Sequence, residues 1–420
     1  MNLNKKACPV FLAASLFLSA VLYAFISLAS SSVGIFPADG SIAALLFSVL
    51  YFAILLFFIK DYSDDILSFL FISAVTAALI CVRVSLLSHE ARDYNVFLSD
   101  WLYQMRQLEG VEPLVQKIGD YNMPYLYFLF IISKLKLNDL ILIKWFSCIF
   151  DFLGAVFVMK IVSLKTKNRM VLFSSFVGAL ALPTVLLNSS YWGQCDSILA
   201  ALLIGSVYFF LKNRPSLAIV LFALAFSFKL QAIFLLPFVL VMCILKKVAP
   251  LKLVLFPVVF MLSLLPALIA GRPFIDCVRI YFDQASQYPV LSLNSPSFWQ
   301  LIEQAPIENF NLCAVMLTGI AFISYIFIAY KFKDKLNLPE QVELAYLSAV
   351  IIPFLLPRMH DRYFFVADVL SLCVFFFDKK KWYLPLITQI ASLNCYFYYL
   401  FSGTLLFPYS YTTIALLIAI

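Results

Sequence analysis

The stretch Pro357-Arg358-Met359-His360-Asp361-Arg362-Tyr363 joins two apolar runs, about 341–357 and 362–378, each of which reads as a membrane span. Five of its residues carry charge or donate strong hydrogen bonds, in a chain only 13% charged. Two arginines, a histidine and an aspartate at a junction between hydrocarbon-embedded helices need partners, because unpaired charge is costly there. A headgroup-anchoring loop is the plain alternative, but such loops rely on Lys, Trp or Tyr rather than on clusters of mixed sign.

Working outward, the same alternation of long apolar runs and short polar links fills the chain. Of its 420 residues 64% are hydrophobic and 17% aromatic, and the mean hydropathy is +0.97. A soluble domain is about half apolar and a quarter charged, so the composition excludes one and specifies an all-α polytopic membrane protein. No composition break divides the chain, which predicts one integral domain over residues 1–420. The net charge of +7 needs no nucleic acid; lysines and arginines in cytoplasmic links account for it. Nine cysteines are scattered without a C-x-x-C pair or metal-ligand spacing, so they read as small core residues and no metal is expected.

Charge bias orders the spans. Lys5 and Lys6 place the N-terminus in the cytoplasm, and spans follow at about 10–30, 41–59 and 66–88. A first external loop, 89–136, comes next; in it Phe97, Trp101, Met105 and Leu108 have the spacing of an amphipathic surface helix. Segment 122–136 is apolar but short, and only one crossing between it and the basic link Lys165–Arg169 keeps that link inside, so 122–136 is predicted to be juxtamembrane. Spans at about 141–160, 170–188 and 196–212 follow; the run 216–246 is too long for one helix and is predicted to break near Lys229. After a span at 250–271, prolines and turn residues mark a second external loop, 272–310. Later spans lie near 311–331, 341–357, 362–378, 382–401 and 404–420, for about 13–14 crossings.

This topology gathers Asp93, Trp192, Gln194, Asp196, Lys229, Gln231, Arg272, Asn294, Arg358, His360 and Arg362 on the external side. Arginines, a lysine and a histidine around an outward cavity suit an anionic group such as phosphate. Asp93 beside them is placed to take a proton from a hydroxyl nucleophile, or else to cap the surface helix. Asp196 and Gln194 either hold substrate hydroxyls, brace the cations or cap the helix at 196. Asp100 and Asp120 are weaker candidates, the latter as a cap for the 122–136 helix. By themselves these residues specify an outward anion site beside an acid. Given a phosphate-linked donor and a hydroxyl acceptor, they form the minimum set for glycosyl transfer with inversion, which needs no metal cofactor when cations neutralise the leaving phosphate.

Several segments carry a resemblance: Arg92-Asp93-Tyr94 with Phe97 and Trp101; Gly119-Asp120-Tyr121-Asn122-Met123-Pro124; Asn188-Ser189-Ser190-Tyr191-Trp192-Gly193-Gln194-Cys195-Asp196; Phe228-Lys229-Leu230-Gln231; Gly271-Arg272-Pro273; Leu293-Asn294; and Arg358-Met359-His360-Asp361-Arg362-Tyr363. In this order the chain resembles the bacterial membrane glycosyltransferases related to the eukaryotic GPI-anchor mannosyltransferase II, within the GT-C superfamily. It departs from them at Asp361, where the family often has Glu, and at Asn122-Met123-Pro124, where a Tyr-Pro-Pro-like start is usual. The resemblance implies a GT-C fold in a bacterial cytoplasmic membrane. It implies a polyprenyl-phosphate-linked sugar (mannose or another hexose) as donor, and a cell-surface glycan or glycolipid as acceptor on the extracytoplasmic face. It makes Asp93 the base and Lys229, Arg272, Arg358, His360 and Arg362 the holders of the lipid-linked phosphate. A polysaccharide polymerase, flippase or transporter of a lipid-linked or anionic solute is the alternative, and would show charged relays near mid-membrane.

Overall fold

The computed structural model describes residues 8–32, 40–62 and 65–420. It is built almost wholly of helices, packed around one continuous apolar core that runs from Phe11 to Leu416. Seven helices among the described residues are long and apolar enough to cross a membrane, or eight if the bent pair Arg169–Ala181 and Pro183–Trp192 is one span. The chain is therefore a multi-pass membrane protein. Lys5, Lys6 and most of the link 31–40 lie outside the described residues.

The crossing number expected from hydropathy, 13–14, exceeds the helices of spanning length. Six apolar helices, among them Asp196–Leu211, Pro215–Phe228 and Phe365–Phe377, have only 10–17 residues. At 1.5 Å per residue, about 16 residues reach about 24 Å, short of the ~30 Å hydrocarbon layer. Hydropathy counts apolar runs and does not see where a helix stops.

The short helices hold the middle of the molecule. Nearly every side chain of Asp196–Leu211 is buried, as a helix apolar on all sides requires. It packs against Asp139–Val162, Pro215–Phe228 and Phe365–Phe377. Outer helices such as Leu255–Ala270 and Ile307–Lys331 keep most of their apolar side chains on the exterior, where lipid replaces protein.

Two sequence expectations are met closely. Met123–Lys134 is a helix of 12 residues, about 18 Å long and unable to cross alone. The run 216–246 breaks where it was expected to: Pro215–Phe228 ends at Lys229, whose backbone is extended, and a 3-10 turn over Leu230–Leu235 precedes Leu236–Ile244. The surface helix is modified. A π-helical turn, Tyr94–Leu98, leads into Ser99–Gln107, and the buried face is Leu98, Trp101, Leu102 and Met105. Phe97 is exposed, because the wider π turn rotates it away from that face.

The two long loops, 89–136 and 272–310, are stitched together. Gln284, on helix Phe274–Ser286, donates to the Asp120 carbonyl at 2.6 Å and to Asn122 Oδ1 at 3.2 Å. Gln287 donates to Asp120 Oδ2 at 3.1 Å. Asp120 is thus a loop-to-loop tie and not a cap; the residue before helix Met123–Lys134 is Asn122. Ser292–Leu293 pairs in parallel with Met359–His360, which joins the second loop to the Pro357–Tyr363 junction.

Candidate functional site

The junction between Leu338–Leu355 and Phe365–Phe377 places Arg362 in the interior. Its Nε lies 3.4 Å from Asp196 Oδ2 and its guanidinium stands 5.5 Å over the Trp192 ring. Asp196 also pairs with the Lys229 ammonium and accepts from Asn188 Nδ2 at 2.9 Å. One buried carboxylate therefore faces two cations and an amide, an arrangement that low dielectric makes strong only because every charge has a partner. The cap position of its helix belongs to Cys195, with Asp196 one residue inside; of its three readings, the geometry is that of a brace between cations. Lys229 reaches it because the break after Phe228 turns the lysine inward.

Asp93 stands beside this cluster. Its carboxylate accepts from Trp192 Nε1 at 3.0 Å, from Gln194 Nε2, and from the Tyr399 hydroxyl. Its side chain makes no cap hydrogen bond, so the surface helix does not use it. Trp192 and Tyr399 stack with centroids 4.7 Å apart. Gln194 bridges onward, its Oε1 accepting from Tyr121 at 3.3 Å, and Lys229 lies 5.9 Å over the Tyr121 ring.

Local backbone irregularity aims these groups. Asp93 directly precedes one π-helical turn, and Trp192 ends a second, Leu187–Trp192. Each inserts a residue into the helical repeat and re-aims the side chains that follow. Gly193 then ends the helix at φ +83°, a conformation that costs other residues about 1–2 kcal/mol. Lys144 holds the approach to Asp93 from below, donating to the carbonyls of Leu86 (3.3 Å), Leu87 (3.0 Å) and His89 (2.5 Å) just past helix Ile66–Ser85. A cation there also complements the helix C-terminus.

The remaining expected residues sit around this centre in different ways. Gln231 follows Lys229 at the helix break, and its buried Oε1 has no hydrogen-bond donor. His360 packs against Tyr288 and Tyr363, each 5.0 Å away between centroids. Burial, with Arg362 and Lys229 nearby, pushes its pKa down to about 3, so near neutral pH it offers hydrogen bonds and no charge. Arg272 is buried and donates to the Gln116 carbonyl at 3.0 Å, with its Nε unpaired. Arg358 donates from Nε to the Tyr288 carbonyl at 3.1 Å and from its backbone N to Leu291 at 2.8 Å, at φ +64°. Asn294 takes φ +54° in the turn after Ser292–Leu293. These last three shape the loops rather than enter the Asp196 cluster. Asp100 is exposed and accepts only from Gln104 within its own helix.

Tyr399, missed in the sequence, and Asp361, singled out there only as part of the junction cluster, complete the site. Tyr399 comes from helix Tyr383–Leu400, near the far end of the chain, and only the aromatic run Tyr396-Phe397-Tyr398-Tyr399 marked it. Asp361 is buried, its Oδ1 3.6 Å from Arg362 NH1, an ion pair too long for a hydrogen bond. Burial pushes its pKa up to about 7 against the pull of Arg362. Among the described residues, no three His, Cys, Asp or Glu side chains come together as a metal-binding group.

The chain matches no protein-family model and no curated protein at a meaningful level of similarity.

Proposed function

We propose that this protein is an inverting hexosyltransferase of GT-C type, moving a sugar from a polyprenyl-phosphate donor to a cell-surface glycan or glycolipid. The observation that carries this reading is a carboxylate held by three neutral donors, Asp93, directly beside a buried carboxylate shared by two cations, Asp196 with Lys229 and Arg362. The first suits a positioned base and the second a site for developing phosphate charge.

In the proposed reaction Asp93 accepts the proton of an acceptor hydroxyl. The hydroxyl oxygen bonds to the anomeric carbon from the face opposite the phosphate, and the anomeric C–O bond breaks. Both electrons of that bond leave with the polyprenyl monophosphate, whose added charge Arg362 and Lys229 neutralise. Trp192, Gln194 and Tyr399 orient the carboxylate. The site faces the extracytoplasmic side of a bacterial cytoplasmic membrane, with the N-terminus inside. Purified protein given polyprenyl-phosphate sugars decides the matter, with Asp93→Asn as the control. We expect turnover by the wild type and a loss of about 10²–10⁴-fold in kcat in the variant. Full activity in Asp93→Asn removes Asp93 as the base.

A second reading, flipping or transport of a lipid-linked anion, is favoured by one observation. Arg83 and Asp151, both from helices of spanning length, meet 3.4 Å apart with side chains fully buried, and intramembrane charge often marks a transport route. Absence of turnover with every donor, together with uptake or scrambling of one, supports it.

A further inference from the structure

Both members of the Arg83–Asp151 pair are tied to fixed groups around them. Asp151 Oδ2 accepts from Arg83 Nε at 3.4 Å and from the Ser189 hydroxyl at 2.5 Å, and its Oδ1 accepts from the Ser197 hydroxyl at 2.5 Å. Arg83 also donates to the Leu180 carbonyl at 2.9 Å and to the Leu79 carbonyl at 3.4 Å, and its guanidinium lies 5.3 Å from the Phe152 ring. The cavity next to Asp151 has about 10 Å³, room for about one water and no pathway.

The partners show what the pair does. Leu180 lies at the 51° bend between Arg169–Ala181 and Pro183–Trp192. The residue before a proline avoids helical geometry, and Leu182 takes φ −55°, ψ 127°. That break frees the last carbonyls of the first helix, and Arg83 satisfies one of them with a charge of the favourable sign. Ser189 and Ser197 bracket the segment that carries Trp192, Gln194 and Asp196, so one carboxylate pins both ends of the turn. Ser147, one helical turn before Asp151, adds a third point by donating to the Gln194 carbonyl at 2.7 Å.

We infer that Asp151 and Arg83 are positioning residues for the candidate site: they clamp the 189–197 segment and set where Trp192 and Gln194 meet Asp93. For its effect on turnover this rests on the proposed transferase reading; for the geometry it stands alone. A buried pair is expensive to break singly but is often replaced whole by apolar side chains at little cost in stability. The test is therefore the double variant Arg83→Met/Asp151→Leu, with Ser189→Ala/Ser197→Ala as a second variant that leaves the charges in place. Fluorotryptophan-labelled protein gives a fluorine NMR signal for Trp192, assigned by Trp192→Phe.

Both variants are expected to move or broaden the Trp192 signal while the other tryptophans stay put. Both are expected to lower kcat by about 10–100-fold with less than a threefold change in donor KM, since a displacement of about 1 Å at a reacting group has that scale. Arg83→Met/Asp151→Asn, which keeps an acceptor for the serines, is expected to recover most of both. An unchanged Trp192 signal and kcat in the serine variant overturns the inference even if the apolar variant does not fold. If the wild type turns over no donor, the transferase reading fails while the fluorine signal still tests the clamp.

Discussion

Lys229 and Arg362 look much like Arg272 and Arg358 in the sequence: basic residues beside helix ends, close to Pro, Gly or aromatic neighbours. In the structure they divide. The first two converge on the Asp196 carboxylate. The second two hold loop carbonyls, Arg272 at Gln116 and Arg358 at Tyr288. A cation paired with a carboxylate keeps further N–H donors to offer a phosphate while the carboxylate stays paired. A cation whose bonds shape a loop gives up that shape when it moves. Identical charge thus supports two roles, and the partner decides which.

This contrast can be broken most sharply at Arg362. Arg362→Ala leaves Asp196 with Lys229 as its one paired cation and, on the proposed function, removes one phosphate ligand; truncating one member of a buried pair costs about 2–5 kcal/mol. We expect a fall of at least about 30-fold in kcat/KM for the donor, measured under initial-rate conditions. Arg272→Ala is expected to cost less than about 10-fold in kcat/KM and to show itself mainly as a lower Tm, because it loosens the tie between the two long loops. If Arg272→Ala is as damaging to the donor step as Arg362→Ala, the division between the pairs is wrong.

A finer test uses Asp361. Below its raised pKa of about 7 the group is neutral, and above it an extra negative charge lies 3.6 Å from Arg362. That charge competes with an anionic donor, so donor KM should rise as pH increases through about 7. Asp361→Asn should keep the low-pH KM on the alkaline side. A KM profile of the same shape in both proteins removes Asp361 as the competing group. His360, already neutral across this range, should contribute no second inflection. The smallest expected effect is at Gly193. Gly193→Ala forces a side chain into φ +83° and should destabilise by about 1–2 kcal/mol, seen as a lower Tm with a modest loss of turnover.

The loops and the core differ in how much of them was legible beforehand. The break at Lys229 was readable because an apolar run of that length holding a charge has few other solutions. The short helix Met123–Lys134 followed from charge bias on either side of it. The Asp196 brace was readable in part, since three types of charge had to meet somewhere. The ties between Gln284 or Gln287 and the first loop were not, because uncharged polar side chains carry no directional signal in sequence. Nor was the Arg83–Asp151 pair, each member of which sits alone in an apolar run.

What the sequence alone determined is the class: an all-helical, multi-pass membrane protein, because 64% apolar residues in long runs have no stable home in water. It also determined which polar residues are too few and too clustered to be incidental. Tertiary structure decided how these residues pair. Tyr399 reaches Asp93 across 306 positions of chain, and Asp151 clamps a turn some 40 residues away, a separation read from Ser189 at 38 and Ser197 at 46. Such contacts depend on which helices lie side by side, and packing fixes that only after hydropathy has placed the spanning helices in the membrane.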